Sequence, residues 1–197
     1  MTAIIDYKAG NLTSVKLAFD AIGEENEVTS DPAAIARADR VVFPGVGAAK
    51  SAMENLRSLG LEDAVREAAA AKPFLGICLG MQILFEHTEE DGGVGLLGVI
   101  PGNVRRFPSG TGDKVPQIGW NDIASSAGSP FAKNGDEYYF VHSYYAETGE
   151  YTVATADYAG VTFTAAVRKG NLFAVQFHPE KSGRTGLALL RAFAGRD

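Results

Sequence analysis

The side chains most able to do chemistry in this chain are one cysteine, Cys78, and a histidine and a carboxylate, His178 and Glu180, about a hundred positions downstream. Cys78 is the centre of Gly-Ile-Cys-Leu-Gly at residues 76–80, where a strand-like apolar run meets a helix-like run. The pattern is the thiol counterpart of the Gly-x-Ser-x-Gly turn, in which a sharp strand-to-helix corner exposes a nucleophile between small neighbours. Together the three side chains predict a cysteine nucleophile, a histidine acid–base and an orienting carboxylate.

The positions of these residues suit that chemistry. A thiol at the start of a helix sees the positive end of the helix dipole, and a nearby histidine favours the thiolate further. Residues i and i+2 of an extended segment face the same side, so His178 and Glu180 can pair, and Pro179 between them restricts the backbone to extended geometry. The histidine can then protonate a leaving amine, which leaves poorly as an anion.

Each motif also has a purely structural interpretation. A lone cysteine can pack as a small apolar side chain, and His-Pro-Glu can be a strand end closed by proline. Both motifs occur at predicted strand ends of one α/β pattern, and this joint occurrence favours the catalytic interpretation.

Acyl transfer also needs hydrogen-bond donors for a developing oxyanion. The backbone N–H of Leu79, the residue after the nucleophile, is the natural first donor. The Pro-Gly-Val-Gly segment 44–47 follows a predicted strand, and its glycines can adopt positive φ and let a peptide flip, which suits a second donor. A plain strand-ending turn is the alternative interpretation of this segment.

Length and composition predict one domain, residues 1–197, with a full hydrophobic core, since 46% of the residues are hydrophobic and 21% charged. The net charge of −6, with scattered basic residues, argues against nucleic-acid binding. A single cysteine allows neither an intrachain disulfide nor a cysteine metal cluster, which favours the reducing cytoplasm. The longest uncharged apolar run, 73–85, is too short to cross a membrane. The N-terminus resembles a first strand rather than a signal peptide. No zinc-ligand spacing includes His178.

The elements that must position these residues alternate in the first half of the chain. Repeated strand–helix units predict an open, mostly parallel sheet with helices on both faces. A glycine- and aromatic-rich second half, 96–177, adds an antiparallel hairpin, 161–164 with 172–177, around a turn at 169–171. Loops 86–95 and 108–114 are expected to be mobile. The predicted strands are 3–5, 27–29, 40–43 and 73–77, and the predicted helices are 12–22 capped by Asn11, a turn from 31, 48–58, 61–71, one from 79, and 184–194.

The candidate residues follow predicted strands. In open α/β sheets, sites lie beyond the carboxyl ends of the strands. Gly10, the 45–47 segment, Cys78 and His178 all occupy such places. The sequence therefore predicts that they share one site.

Residues 76–82, Gly-Ile-Cys-Leu-Gly-Met-Gln, and 177–180, Phe-His-Pro-Glu, resemble the nucleophile and His/Glu motifs of the class I, triad-type glutamine amidotransferases. The resemblance extends over essentially the whole chain. It implies that the glutamine side-chain amide is hydrolysed through a γ-glutamyl thioester to glutamate and ammonia. No cofactor is expected.

Further segments resemble one branch of the family, the glutaminase subunits of imidazole glycerol phosphate synthases. The resemblance implies a heterodimer whose cyclase subunit uses the ammonia to make imidazole glycerol phosphate and AICAR in histidine biosynthesis. Lys8 and the Ala-Ala-Lys run at 48–50 depart from the pattern, at positions that affect the partner surface or the loop. The matching segments are 6–12, 44–47, 115–121, 141–145 and 178–183.

The resemblance also assigns roles residue by residue. For His142 a packing role is the alternative interpretation. The implied roles are catalysis for Cys78, His178 and Glu180; the oxyanion hole for Val46, Gly47 and Leu79; glutamine binding for Gln82 and for the backbone of His142, Ser143 and Tyr144; and contact with the cyclase for Asn11, Trp120, Tyr139 and Lys181.

Other functions stay open at this point. One is the glutaminase component of another synthase, such as anthranilate or aminodeoxychorismate synthase. A second is a non-catalytic regulatory or scaffolding subunit, and a third is a cysteine peptidase-like hydrolase. For a glutaminase subunit we expect weak activity alone and stimulation by a partner that carries its phosphorylated acceptor.

Overall fold

The computed structural model describes residues 1–126 and 128–196, in which strands and helices alternate as far as Cys78. The helices are α1 (Leu12–Ala21), α2 (Pro32–Arg37), α3 (Ala49–Ser58), α4 (Glu62–Ala71), α5 (Leu79–Gln82) and α6 (Gly183–Ala194). The strands are β1 (Thr2–Ile5), β2 (Asn26–Thr29), β3 (Arg40–Gly45), β4 (Phe74–Cys78), β5 (His87–Thr88), β6 (Val94–Gly95), β7 (Asn103–Arg106), β8 (Gln117–Asp122), β9 (Ala124–Ser125), β10 (Glu137–His142), β11 (Tyr144–Ala146), β12 (Thr152–Tyr158), β13 (Val161–Lys169) and β14 (Leu172–Val175).

The main sheet has the strand order β2-β1-β3-β4-β14-β13-β12-β9. Strands β2, β1, β3, β4 and β14 pair in parallel, and β13, β12 and β9 extend the sheet by antiparallel pairing. The β13–β14 pair is the hairpin expected from the sequence. This architecture confirms the predicted open, mostly parallel sheet with an added antiparallel region. Two smaller sheets, β10-β8 and β11-β7-β5-β6, complete the fold.

Two hydrophobic cores lie on the two faces of the main sheet. Alternation along the strands separates them, since Ile4 and Val42 belong to one core and Ile5 and Val41 to the other. Helices α1 and α6 cover the first face, and α2, α3 and α4 cover the second. None of the described helices is long and apolar enough to cross a membrane.

The predicted end of β3 and the predicted loop 86–95 were wrong. Strand β3 does not stop before Pro44 but continues through Gly45, which pairs with Cys78. Neighbouring β1 pairs with β3 only as far as Val42. A backbone N–H at position 44 would therefore have no acceptor in β1, and proline, which lacks this N–H, is tolerated. Segment 86–95, expected to be a plain loop, contains β5, β6 and a 3₁₀ turn over Glu90–Gly92.

The corner between β4 and α5 depends on a very close backbone contact. A Cβ atom at Gly80 would lie 1.8 Å from the carbonyl oxygen of Phe43, and one at Gly45 would lie 2.2 Å from the Tyr7 hydroxyl. The Phe43 carbonyl belongs to β3 and Gly80 belongs to α5, so neither can move without shifting its whole element. Glycine at position 80 therefore allows the helix that follows Cys78 to start directly against the end of β3.

We expect Gly80→Ala to lower the free energy of unfolding by about 3 kcal/mol, near the upper end for overpacking, because its methyl group would collide with backbone. Urea denaturation followed by circular dichroism measures the change. Gly149→Ala is the matched control, since a Cβ atom there meets no atom within 4 Å, and it should change stability by less than about 0.5 kcal/mol. Equal effects of the two substitutions would contradict the packing argument.

Candidate active site

Cys78 lies at the corner between β4 and α5 in a strained backbone conformation. Its φ of 54° and ψ of −112° are unusual for a residue other than glycine. Such strain costs on the order of 1–3 kcal/mol and persists only where the surroundings impose it. The Gly80–Phe43 contact imposes it here. The result is a thiol at the carboxyl edge of the parallel strands, beside the first turn of a helix.

His178 reaches the same edge because β14 pairs directly with β4. The last register pair is Ile77 with Val175, so the chains leave the sheet side by side. The backbone N–H of His178 donates to the carbonyl of Tyr139 (2.9 Å), which fixes the segment after β14. Its side chain and that of Cys78 line one cavity. The structure thus brings together the cysteine and the histidine that the sequence singled out.

The His178 ring is held by Glu180. Nδ1 donates to Glu180 Oε1 over 2.8 Å, and both side chains are almost fully buried, at 3% and 2% exposure. His178 itself is extended, but Pro179 opens a short 3₁₀ turn, Pro179–Lys181, so the pair does not form across an extended segment as the sequence predicted. The turn instead brings the carboxylate to the ring. Because Nδ1 is occupied, Nε2 is the nitrogen left to exchange protons in the cavity.

Burial alone would lower the pKa of His178, because it disfavours the cation. The charge of Cys78, a hydrogen bond with Cys78 and the pairing with Glu180 outweigh burial and raise the pKa to about 10. The balance favours the cationic form of the His178 ring. The ring therefore holds a proton for a leaving group in the cavity that Cys78 lines.

A cavity of about 300 Å³ lies in front of this pair. It gathers the residues predicted for the oxyanion hole and for glutamine binding, together with Lys181. Glu90, Pro116 and Val141 also line it. In the described ranges, no three or more His, Cys, Asp and Glu side chains are arranged to hold a metal ion. The predicted site residues that line the cavity are Val46, Gly47, Cys78, Leu79, Gln82, His142, Ser143, Tyr144, His178 and Lys181.

The residues predicted for the oxyanion hole come from two elements. Leu79 begins α5, so its backbone N–H has no partner within the helix. Val46 and Gly47 lie just beyond the end of β3 and are exposed, and Gly47 has a φ of 97°. The Tyr7 ring packs beneath this segment against Gly45.

Gln82 offers the cavity an acceptor rather than a donor. Its Nε2 donates to the carbonyl of Tyr144 and to Gln176 Oε1, each at 2.8 Å, so both amide protons are engaged. Oε1 of Gln82 remains for a ligand. The Tyr144 carbonyl also accepts from His142 Nδ1 at 2.8 Å, so this carbonyl is already occupied. Segment 142–144 can therefore contact a ligand through its backbone N–H groups.

His142 is a buried, neutral ring. Burial lowers its pKa to about 4. Nδ1 bonds to Tyr144 O, Nε2 lies 2.9 Å from the Gln117 amide, and Phe107 and Phe163 pack against the ring. The side chain packs in the core and also lines the cavity, so both interpretations of His142 from the sequence apply.

Glu90 is the cavity residue that sequence reasoning missed. It is half-buried, its pKa is raised chiefly by burial, and its Oε2 accepts from the Ala49 N–H at 2.6 Å, at the start of α3. The Glu-Glu-Asp run at 89–91 looks like a solvated acidic loop in the sequence. The turn that contains Glu90 packs near the start of α3, which no local pattern indicates.

The candidate partner contacts lie beside the cavity on the β8–β10 ribbon and the turn after β14. Trp120 and Tyr139 are register partners whose rings meet edge to face at 6.2 Å. Trp120 is 56% exposed, and Ile118 in the same strand is 63% exposed. Lys181 is exposed at the cavity rim. Asn11 caps α1 by accepting from the Ser14 N–H at 3.4 Å.

A family model described as "Glutamine amidotransferase class-I" matches residues 3–195. A solved glutamine amidotransferase has the same fold with a TM-score of 0.75, at 21% identity over 98% of both chains. The structure of PurLQS from Thermotoga maritima gives a TM-score of 0.74 at 20% identity, covering 98% of this chain and 97% of that one. The chain belongs to the class I glutamine amidotransferases.

Curated relatives narrow the assignment. Imidazole glycerol phosphate synthase subunit HisH of Dechloromonas aromatica is 49% identical, over 97% of this chain and 94% of the relative. The HisH subunits of Thiobacillus denitrificans and Acinetobacter baylyi are 47% and 46% identical, over 97% of this chain and 89% and 96% of theirs. Within the family, the chain is of the HisH type, a glutaminase subunit of imidazole glycerol phosphate synthase, as the resemblance predicted.

We expect NMR titration to show opposite charges for His142 and His178 at neutral pH. The pKa values imply that His178 stays cationic through pH 8, while His142 stays neutral down to about pH 5. Cys78→Ala should lower the pKa of His178, because burial then acts against fewer stabilising partners. Side-chain ¹H–¹⁵N spectra report both states. A neutral His178 at pH 7 in the unmodified chain would contradict the ion pair.

Proposed function

We propose that Cys78, His178 and Glu180 hydrolyse the side-chain amide of glutamine. The observation that carries this proposal is that His178, held by the buried Glu180, lines the same cavity as a strained cysteine at the start of α5. In this assignment Cys78 is the nucleophile, His178 the acid–base, and Glu180 keeps the ring oriented and charged.

The first half-reaction forms a thioester. The Cys78 thiolate attacks the side-chain amide carbon of glutamine, and the carbonyl oxygen takes up the negative charge. As the oxyanion collapses, the carbon–nitrogen bond breaks and His178 Nε2 gives its proton to the nitrogen, so that ammonia leaves. The products are a γ-glutamyl thioester and a neutral His178.

The second half-reaction regenerates the site. Neutral His178 takes a proton from water as the water oxygen attacks the thioester carbon. Collapse of this second oxyanion breaks the carbon–sulfur bond and expels the Cys78 thiolate, while glutamate leaves and releases one proton to solvent. The thiolate–imidazolium pair is then restored, which balances the cycle.

The oxyanion is assigned to backbone donors. The free N–H of Leu79 supplies one hydrogen bond, and the Val46–Gly47 segment supplies the second. The positive φ of Gly47 and the open space around it allow this peptide to reorient. Such mobility makes activity depend on what holds the segment, and the partner subunit is the natural candidate.

The polar groups of the cavity match the rest of a glutamine molecule. Glu90 offers a carboxylate to the α-ammonium group, and Gln82 Oε1 accepts from an N–H of the substrate. Backbone N–H groups around His142, Ser143 and Tyr144 suit the α-carboxylate. The substrate would thus be recognised at both ends while its amide faces Cys78.

The ammonia is consumed by a cyclase subunit on another chain, with which this chain forms a heterodimer. The exposed apolar residues Ile118 and Trp120, next to Tyr139 and Lys181 at the cavity rim, provide a surface for that subunit. Asn11 is assigned to the same interface through the resemblance.

We further propose that residues 1–197 act as one domain and bind no nucleic acid. We place the protein in the cytoplasm, where a reducing environment keeps Cys78 free.

We expect the chain with glutamine to release glutamate slowly, and faster when the cyclase subunit and its phosphorylated acceptor are added. Cys78→Ala should lower kcat on the order of 10⁴-fold or more, and Glu180→Gln about 10²–10⁴-fold. Coupled glutamate detection measures both. Glu54→Gln, an exposed change on α3, is the control. Full activity in Cys78→Ala would refute the role of Cys78 as the nucleophile. Full activity of the unmodified chain without the partner would refute the dependence of activity on the partner subunit.

Glu90→Gln should raise the KM for glutamine roughly 10–100-fold with a smaller change in kcat, because it removes a charge-assisted hydrogen bond to the α-ammonium group. The new amide oxygen can still accept from Ala49, so α3 keeps its cap. Steady-state kinetics separate the two constants. Glu89→Gln, an exposed neighbour paired with Arg105, should leave KM unchanged. An unchanged KM in Glu90→Gln would remove Glu90 from substrate binding.

A further inference from the structure

Gln176 is a fully buried amide between the nucleophile and Gln82. Its Nε2 lies 3.6 Å from Cys78 Sγ, and its Oε1 accepts from Gln82 Nε2 at 2.8 Å. It stands one residue beyond the Ile77–Val175 register pair, so it sits opposite Cys78 as the two strands end. The triad chemistry described above does not use it.

The surrounding hydrogen bonds decide which end of this amide faces the sulfur. Gln82 Nε2 has two protons, and one is given to the backbone carbonyl of Tyr144, which can only accept. The Gln82 amide is therefore oriented by backbone, and its second proton needs an acceptor. Gln176 must present Oε1 to it, and consequently presents its N–H group to Cys78.

A donor at this place favours the charged form of the sulfur. Besides His178, Sγ has the Val141 carbonyl at 3.9 Å, which accepts from a thiol but repels a thiolate. The N–H of Gln176 offsets that carbonyl, since hydrogen bonds to the ionised form stabilise it. The Gln176 backbone is itself fixed, because its N–H donates to Ala165 O at 2.9 Å.

We propose that Gln176 is a further residue of the reaction: its amide donates to the Cys78 sulfur, stabilises the thiolate before attack and after thioester hydrolysis, and is held in that orientation by Gln82. The proposal deepens the role of Cys78 and rests on that assignment. It also connects glutamine binding to the nucleophile, because Gln82 touches both the cavity and Gln176.

The test uses the single thiol of the chain. The rate of alkylation by iodoacetamide, measured from pH 5 to 10, reports the thiolate fraction of Cys78 alone. We expect Gln176→Leu to move the midpoint of this profile up by about one pH unit, which means roughly tenfold less thiolate below the midpoint. Its kcat for glutamate release should fall about tenfold, with a smaller change in KM.

Gln117→Leu is the matched control. It removes another buried glutamine, which contacts His142 and not the sulfur, and its alkylation profile should stay that of the unmodified chain. Thermal unfolding of each variant shows whether it is folded. Should Gln176→Leu not fold, Gln176→Glu and Gln82→Leu serve instead. The first places a carboxylate against the sulfur and the second frees the amide to rotate, and both should move the midpoint upward.

A folded Gln176 variant with an unchanged midpoint, or an equal shift in Gln117→Leu, would overturn the proposal. Failure of the proposed function looks different. In that case Cys78 of the unmodified chain would react with iodoacetamide no faster than a small free thiol at neutral pH, and no glutamate would be released.

Discussion

The parallel pairing of β4 with β14 is the contact on which the site depends. The two strands lie about a hundred positions apart in the chain, yet they end side by side, β4 in Cys78 and β14 in Val175, three positions before His178. Antiparallel β13 extends the sheet beyond β14 and holds it in register. Because both strands are buried and pair along their whole length, their ends are fixed relative to each other more firmly than two loops would be.

Backbone packing then turns this edge into a reactive site. The close approach of Gly80 to Phe43 lets a helix start directly after β4, with Cys78 in a strained conformation at the corner. Burial would make His178 neutral, and the electrostatic partners reverse that preference. His142, in the same cavity, lacks such partners and stays neutral. Two histidines in one cavity thus take opposite charge states for reasons visible in their surroundings.

The candidate partner surface is bonded to the segment that carries His178. The Tyr139 ring meets Trp120 edge to face, while its carbonyl accepts from the His178 N–H and its own N–H donates to Ser182 Oγ at 3.0 Å. The β8–β10 ribbon therefore supports the histidine through its backbone.

The sequence by itself predicted the candidate chemistry, the parallel strands of the main sheet and the β13–β14 hairpin. Glycines around Cys78, proline between His178 and Glu180, and the strand–helix alternation are local signals, so the parallel sheet and the candidate nucleophile followed from residue types and spacing. The extent of β3 through Pro44 did not, because it depends on where β1 stops pairing. The tertiary structure alone decided the rest: the place of Glu90, the orientation of the Gln176 amide, and the charges of His142 and His178. These depend on burial and on partners distant in sequence, which no short pattern encodes.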